Sequence, residues 1–322
     1  MMKRKRLFCS SARVLFPFIL VLVLLALSDT LVFSAAQQDL SWPMYLKNPE
    51  HTGYTESSAP RKGAFLLWNY TATPTDAYVL SSPAVAYGKV FIGGMNGKVY
   101  ALNMSTGAQI WNFTASSYIY SSPAVSNGVV YIGSYDGKVF ALNQSTGNQI
   151  WNFTTGYYYG LLSSPSISDG VVYIGGGDGQ VYALNQNNGN KIWNFTTGGY
   201  IYSSPAVAYG KVFITSESSN RYVFALNQSN GKMIWNYTLP TTAYSLFSSP
   251  AVADNKVILG SGNGNKTYAL NQSNGAKIWE FDAKGWIYTP PTIAYGKVFI
   301  SSTWYRPNWA TNVYALNLSN GN

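Results

Sequence analysis

Residues 121–151 read SSPAVSNGVVYIGSYDGKVFALNQSTGNQIW, and this stretch decides the fold. Tyr118 to Ser126 reads as a strand, Asn127-Gly128 as a two-residue turn, and Val129 to Gly133 as a second strand of β-branched and aromatic residues. Asp136-Gly137 is the next turn, and Lys138 to Asn143 is a third strand. Ser145-Thr146-Gly147 then turns the chain into a fourth, Gln149 to Thr155. Asn-Gly and Asp-Gly suit such hairpins because type I′ geometry needs positive φ at both central residues.

The pattern repeats along the chain. Ser-Ser-Pro recurs at 81–83, 121–123, 163–165, 203–205 and 248–250, with Thr289-Pro290-Pro291 in the sixth place. The prolines are spaced 40, 42, 40, 45 and 41 residues apart, and Trp68, Trp111, Trp151, Trp193, Trp235 and Trp279 keep step with them. Four antiparallel strands in a period of 40 to 50 residues predict an all-β propeller. Helical periodicity is absent beyond residue 36.

Ala101-Leu102-Asn103-x-x-Thr106-Gly107-x-x-Ile110-Trp111 returns at 141–151, at 183–193 with Asn188 for Thr, at 225–235 and at 269–279. This resembles the tryptophan-docking repeat of the PQQ-like (quinoprotein-type) β-propeller family, with Asn where that family usually has Asp. The resemblance covers roughly residues 40–322. Trp42-Pro43-Met44 with His51-Thr52-Gly53 is similar to the lead-in before the first blade of such proteins. The glycine closes a tight turn. Each Trp is expected to dock on the neighbouring blade, a burial worth about 2–3 kcal/mol.

The ends of the chain are complementary. Residues 64–71 resemble a fourth strand lacking its first three, and residues 286–322 resemble three strands lacking a fourth. Six four-stranded blades with closure between N- and C-terminal strands are therefore expected; a truncated propeller of seven or eight blades is the alternative. Ahead of the propeller, Lys3 to Arg6 precede an apolar run from Val14 to Leu27 and the small residues Ser34, Ala35 and Ala36. That order is a secretory signal over 1–36, with an uncleaved membrane anchor as the alternative. Residues 37–63 form a lead-in segment and 64–322 the propeller. Cys9 precedes the apolar run, so it cannot be a lipoprotein cysteine, and the mature chain has no disulfide or thiolate chemistry.

The leader also explains the charge. Five of 21 basic residues and one of 12 acidic residues lie in 1–36, so a formal +9 falls to +5, from 16 basic and 11 acidic residues. No clustered basic stripe remains, which excludes nucleic acid as a partner. A charged fraction of 10% beside 16% aromatics also excludes disorder.

The family resemblance implies one enzymatic reading, a PQQ-dependent dehydrogenase with Ca²⁺ held by carboxylate and amide oxygens, an aspartate base and a Trp platform. A hard cation wants converging carboxylates. Here Asp136 and Asp178 fall in the second-to-third-strand turn, Asp169 and Asp254 fall in the first hairpin turn, and Glu217, Glu280 and Asp282 are isolated. No cofactor and no metal are therefore expected. His51, the single histidine, reads as packing within the lead-in. Gly260 to Thr267 lacks the Gly-Lys-Thr and the following helix of a phosphate loop, and Gly175 to Gly179 is likewise a turn.

Two other features point outward. Aromatic residues precede each Ser-Ser-Pro: Tyr78, Tyr118 and Tyr120, Tyr157 to Tyr159, Tyr200 and Tyr202, Tyr244 and Phe247, Trp286 and Tyr288. They are expected around one mouth of the axial channel, with Tyr118, Tyr158, Tyr200, Tyr244 and Trp286 as candidate ligand-binding residues; the alternative is that alternate members, such as Tyr120 and Tyr202, are packed between blades. Eleven Asn-x-Ser/Thr acceptors occur, at Asn69, Asn103, Asn112, Asn143, Asn152, Asn194, Asn227, Asn236, Asn265, Asn271 and Asn317. Repeat duplication alone would multiply them. The reading is a non-catalytic extracytoplasmic propeller, secreted or anchored at the cell surface, that binds an envelope protein or glycan. The alternative is an enzyme, PQQ-dependent or polysaccharide-active.

Overall fold

The computed structural model describes residues 44–53, 66–72, 78–156, 160–217, 221–240, 248–303 and 311–322. The leader expected over 1–36 lies outside them. Among the described residues there is no helix, and 23 strands form six antiparallel sheets. The first runs β1 (Ala84–Ala86), β2 (Lys89–Gly93), β3 (Lys98–Asn103) and β4 (Gln109–Thr114), each paired with the next. The order repeats as β5–β8 within 124–154, β9–β12 within 166–196, β13–β16 within 206–238 and β17–β20 within 251–282. The sixth sheet has three strands, β21 (Thr292–Ala294), β22 (Lys297–Thr303) and β23 (Thr311–Asn317). These are the blades of a propeller, as the repeat predicts.

The first hairpin of each blade is the expected turn, with φ of +50° at Asn127 and +75° at Gly128. The second differs. Of Asp136-Gly137 only Gly137 has positive φ, at +83°. Ser134 N–H donates to Lys138 O at 2.8 Å and Gly137 N–H to Ser134 O at 3.0 Å, so the loop is a longer turn ended by one left-handed glycine.

Burial explains the composition of the strands. The third strand of each complete blade is buried on both faces because a blade stacks on either side, so Lys-Val-Phe-Ala-Leu-Asn has an unbroken apolar centre. On the fourth strand the Trp is buried while its neighbours on either side are exposed.

Ser-Ser-Pro is a two-way clasp. The first serine acts within its blade: Ser121 Oγ accepts Gly133 N–H at 3.1 Å and Ser163 Oγ accepts Gly175 N–H at 3.1 Å. The second links blades. Ser82 N–H donates to Ser122 Oγ, Ser122 N–H to Ser164 Oγ, Ser164 N–H to Ser204 Oγ and Ser204 N–H to Ser249 Oγ, each at 2.9 Å. The series stops at the sixth blade, where Pro290 has neither hydroxyl nor N–H.

The tryptophans reach across to the next blade. Trp111 Nε1 donates to Gln144 O, Trp151 to Gln186 O, Trp193 to Gln228 O, Trp235 to Gln272 O and Trp279 to Leu318 O, all at 3.0 Å. Each indole lies on the turn glycine of the next blade; a Cβ on Gly189 would stand 2.6 Å from Trp151. The glycine is thus needed twice, for φ of +73° and for the approach of the ring.

Trp68 makes the same contact on the first blade, donating to Met104 O at 2.9 Å above Gly107. Residues 66–71 repeat the exposure pattern of a fourth strand. No pairing of residues 66–72 with β23 occurs among the described residues. Val313 on β23, counterpart of the buried Val99 and Val139, is 76% exposed.

Candidate functional site

The innermost strands surround the lead-in. Val207 N–H donates to Pro49 O at 2.7 Å, Val252 N–H to Glu50 O at 2.8 Å and Ile293 N–H to Thr52 O at 2.9 Å, so residues 49–52 are hydrogen-bonded to the fourth, fifth and sixth blades. His51 reaches the third and fifth, with Nδ1 3.0 Å from Pro250 O and Nε2 3.0 Å from Ser166 Oγ. A carbonyl only accepts, so Nδ1 carries the proton. Burial lowers the His51 pKa to about 4. Tyr45, also in this segment, has its phenol pushed up to about 12 by burial, with Ser249 as hydrogen-bond partner.

His51 and Ser166 sit at the separation of a general base and its nucleophile, but both are wholly buried, which seals them from substrate. The pair is a structural pin, in keeping with the packing role read for His51. Ser166 was missed in the sequence. The signal was available: the residue after the repeated proline is Ala84, Ala124, Ala206 and Ala251 in four blades and Thr292 in the sixth, while the third carries Ser166, which faces His51.

The described residues do not gather the carboxylates that the calcium implied by the resemblance would need. No group of three His, Cys, Asp or Glu side chains that could hold a metal occurs among the described residues. Asp136 pairs with Lys138 at 3.2 Å, and Asp178 accepts Tyr182 Oη–H at 2.5 Å and Gly156 N–H at 2.8 Å. Glu280 and Asp282, read as isolated, are paired: Glu280 bridges Lys266 and Lys277, and Asp282 meets Lys284 at 2.6 Å.

The aromatic segments are held on the face of the second-to-third-strand turns. Tyr135 N–H donates to Tyr118 O at 2.8 Å, Tyr200 and Glu217 exchange backbone bonds at 3.1 and 2.8 Å, and Trp286 and Thr303 do so at 2.9 Å. Between each aromatic pair an isoleucine is driven inward. Ile119 packs under Gly93 of the preceding blade, Ile201 under Gly175 and Ile287 under Gly260, in places a Cβ would close. The residue packed between blades is therefore this isoleucine, and Tyr120 and Tyr202 stay half-buried beside it.

Tyr118, 50% exposed, forms a cluster with Tyr120 and Tyr135, their ring centroids 5.3 to 6.5 Å apart. Tyr200 and Tyr202 lie 6.1 Å apart, and Trp286 and Tyr288 lie 5.9 Å apart. The Tyr288 phenol is raised by burial and by the nearby Glu217 carboxylate. Tyr135 joins the cluster from the turn, where other blades carry Met95 or Gly177; only its place in the repeat marked it. Tyr158 and Tyr244 lie outside the described residues.

The Asn-x-Ser/Thr acceptors fall into two places. Asn69, Asn112, Asn152, Asn194 and Asn236 are exposed on fourth-strand positions. Asn103, Asn143, Asn227, Asn271 and Asn317 open the third-to-fourth-strand turn, and Asn265 is half-buried beside the second turn of the fifth blade.

A family model described as outer membrane protein assembly factor BamB matches residues 57–166, 157–280 and 222–322. No curated protein matches the chain in sequence. The crystal structure of BamB from Moraxella catarrhalis is similar at a TM-score of 0.52 and 20% identity, over 73% of this chain and 85% of that one. Quinohemoprotein alcohol dehydrogenase ADHIIG from Pseudomonas putida HK5 is similar at 0.70 and 17% identity, over 85% of this chain and 59% of that one. The quinohemoprotein alcohol dehydrogenase from Comamonas testosteroni is similar at 0.68 and 17% identity, over 86% and 59%. At these identities the likeness shows the fold alone, and the chain spans 59% of the length of each dehydrogenase.

Proposed function

Because the chain belongs to the family described as outer membrane protein assembly factor BamB, we propose that it is a non-catalytic scaffold at the cell envelope, binding a protein or glycan partner outside the cytoplasm. The leader pattern over 1–36 supports export, whether the segment is cleaved or kept as an anchor. The observation that carries the binding reading is the aromatic face. Tyr118, Tyr200 and Trp286 are each fixed by a backbone bond to their own blade and by an inward isoleucine on the preceding one. Rigid aromatics with an apolar body and a polar tip bind at low entropic cost. Loops on a fixed scaffold are where propellers carry function.

The experiment is affinity capture from envelope extracts with the native chain and with a Tyr118→Ala, Tyr200→Ala, Trp286→Ala triple variant. The reading predicts a discrete partner lost from the variant; equal recovery on both would refute the aromatic face. Addition of pyrroloquinoline quinone and Ca²⁺ tests the enzyme reading, and a bound chromophore would overturn the scaffold.

A further inference from the structure

The acceptor sites fall into two structural classes, turn and strand. In the third blade the turn asparagine Asn185 is kept although Asn187 has replaced the serine, and its Oδ1 still accepts Asn187 N–H at 2.9 Å. Asn103 Oδ1 likewise accepts Ser105 N–H at 2.9 Å and Thr106 N–H at 3.0 Å, and Asn143 Oδ1 accepts Ser145 N–H at 2.9 Å and Thr146 N–H at 3.1 Å. Turn geometry accounts for these asparagines whether or not a hydroxyl follows. Asn103, Asn143, Asn227 and Asn271 are also half-buried, one residue before the carbonyl that receives the docked Trp or beside it. A bulky group there would crowd the blade interface.

The strand positions behave differently. Asn112 and Thr114 stand two residues apart on an outermost strand, so both side chains project from the same exposed face. The same holds for Asn152 and Thr154, Asn194 and Thr196, and Asn236 and Thr238. In the fifth blade both members change together, to Glu280 and Asp282, and the strand is unaltered. The fold therefore does not demand Asn or Thr at either place. Yet the two occur as a pair in four blades, and again at Asn69 and Thr71.

We propose that the outer-strand asparagines Asn112, Asn152, Asn194 and Asn236, with Asn69, are N-glycan attachment sites, and that the turn asparagines are structural. The donor is an oligosaccharide carried on a lipid diphosphate. The Asn Nδ2 attacks the anomeric carbon, the C–N bond forms as the C–O bond to diphosphate breaks, and the lipid diphosphate leaves. The amide proton passes to a base of the transferase. Glycans so placed radiate from the blade edges and leave both the aromatic face and the Trp docking turns uncovered. This inference rests on the extracytoplasmic reading, which the experiment reports separately.

Peptide mass spectrometry of the chain isolated from its native cells gives the test. The expected result is a glycan mass increment on peptides holding Asn112, Asn152, Asn194 and Asn236, with the turn asparagines Asn103, Asn143 and Asn227 bare. Thr114→Ala should remove the increment at Asn112 alone, and Thr114→Ser should retain it. Bare strand peptides, or turn sites occupied to the same extent as strand sites, would overturn the assignment. The N-terminal peptide and protease accessibility on intact cells show whether the chain was exported. Bare peptides from an exported chain sink only the glycan sites; bare peptides from an internal chain sink the location as well.

Discussion

His51 Nε2 lies 3.0 Å from the hydroxyl of Ser166, a bond that ties the lead-in segment to the third blade across 115 residues of chain. The Ser166 hydroxyl is also 2.5 Å from Pro205 O, and protonating the ring would free its hydrogen for that carbonyl. Desolvation of a wholly buried imidazolium outweighs this gain, which is why the His51 pKa falls to about 4.

A pH dependence of stability results. The folded pKa is below the unfolded 6.5, so the unfolded chain binds the extra proton first. The contribution is complete above about pH 6.5 and is lost as pH falls towards 4, a span worth about 3 kcal/mol. Urea midpoints measured from pH 7.5 to 4 should drop more steeply for the native chain than for His51→Gln. Parallel curves would show that His51 does not titrate as a buried neutral ring.

The contact of Trp151 with Gly189 is separable from turn geometry. Gly170 has φ of +75° with open space at its Cβ, whereas Gly189 has φ of +73° with Trp151 at 2.6 Å. Gly170→Ala should cost about 1–2 kcal/mol for the left-handed backbone alone. Gly189→Ala should cost about 1–3 kcal/mol more through overpacking, and Trp151→Ala about 3–5 kcal/mol. Equal melting temperatures for the two alanine variants would refute the docking account.

The serine series predicts a graded response. Ser164→Ala leaves the buried Ser122 N–H without its acceptor, at a cost of about 1–3 kcal/mol. Ser82, exposed at the start of the series, should tolerate alanine within about 0.5 kcal/mol. Denaturant titration of the two variants distinguishes a linked series from independent serines.

β23 offers the sharpest check on how the last blade ends. Val313→Lys should be nearly neutral, within about 0.5 kcal/mol, because the side chain is in solvent. Val139→Lys, at the same place in a complete blade, should abolish folding. A Val313→Lys variant as damaged as Val139→Lys would mean that a fourth strand covers β23.

The blades were legible in the sequence because their determinants are local and repeated. Two-residue turns, strands with unbroken apolar centres and a Trp ten residues after the Ala-Leu-Asn start are each visible in one copy and confirmed by the next. The axial pin was not, since His51 and Ser166 meet only when blades bring distant segments together; a Ser where four other blades carry Ala was the available trace. The aromatic segments were visible as composition. Which member packs inward was not, because Ile119, Ile201 and Ile287 gain their place from a glycine on another blade. Of the expected closure, residues 66–71 show the fourth-strand exposure pattern and Trp68 docks on the first blade among the described residues.

The most direct test of the scaffold places a photoreactive amino acid at Tyr118 or Tyr200 in cells, with Ile150 on the exposed outer strand as the control position. Irradiation should yield one discrete adduct from positions 118 and 200 and none from 150. No adduct from either aromatic position, or the same adducts from all three, would contradict the account.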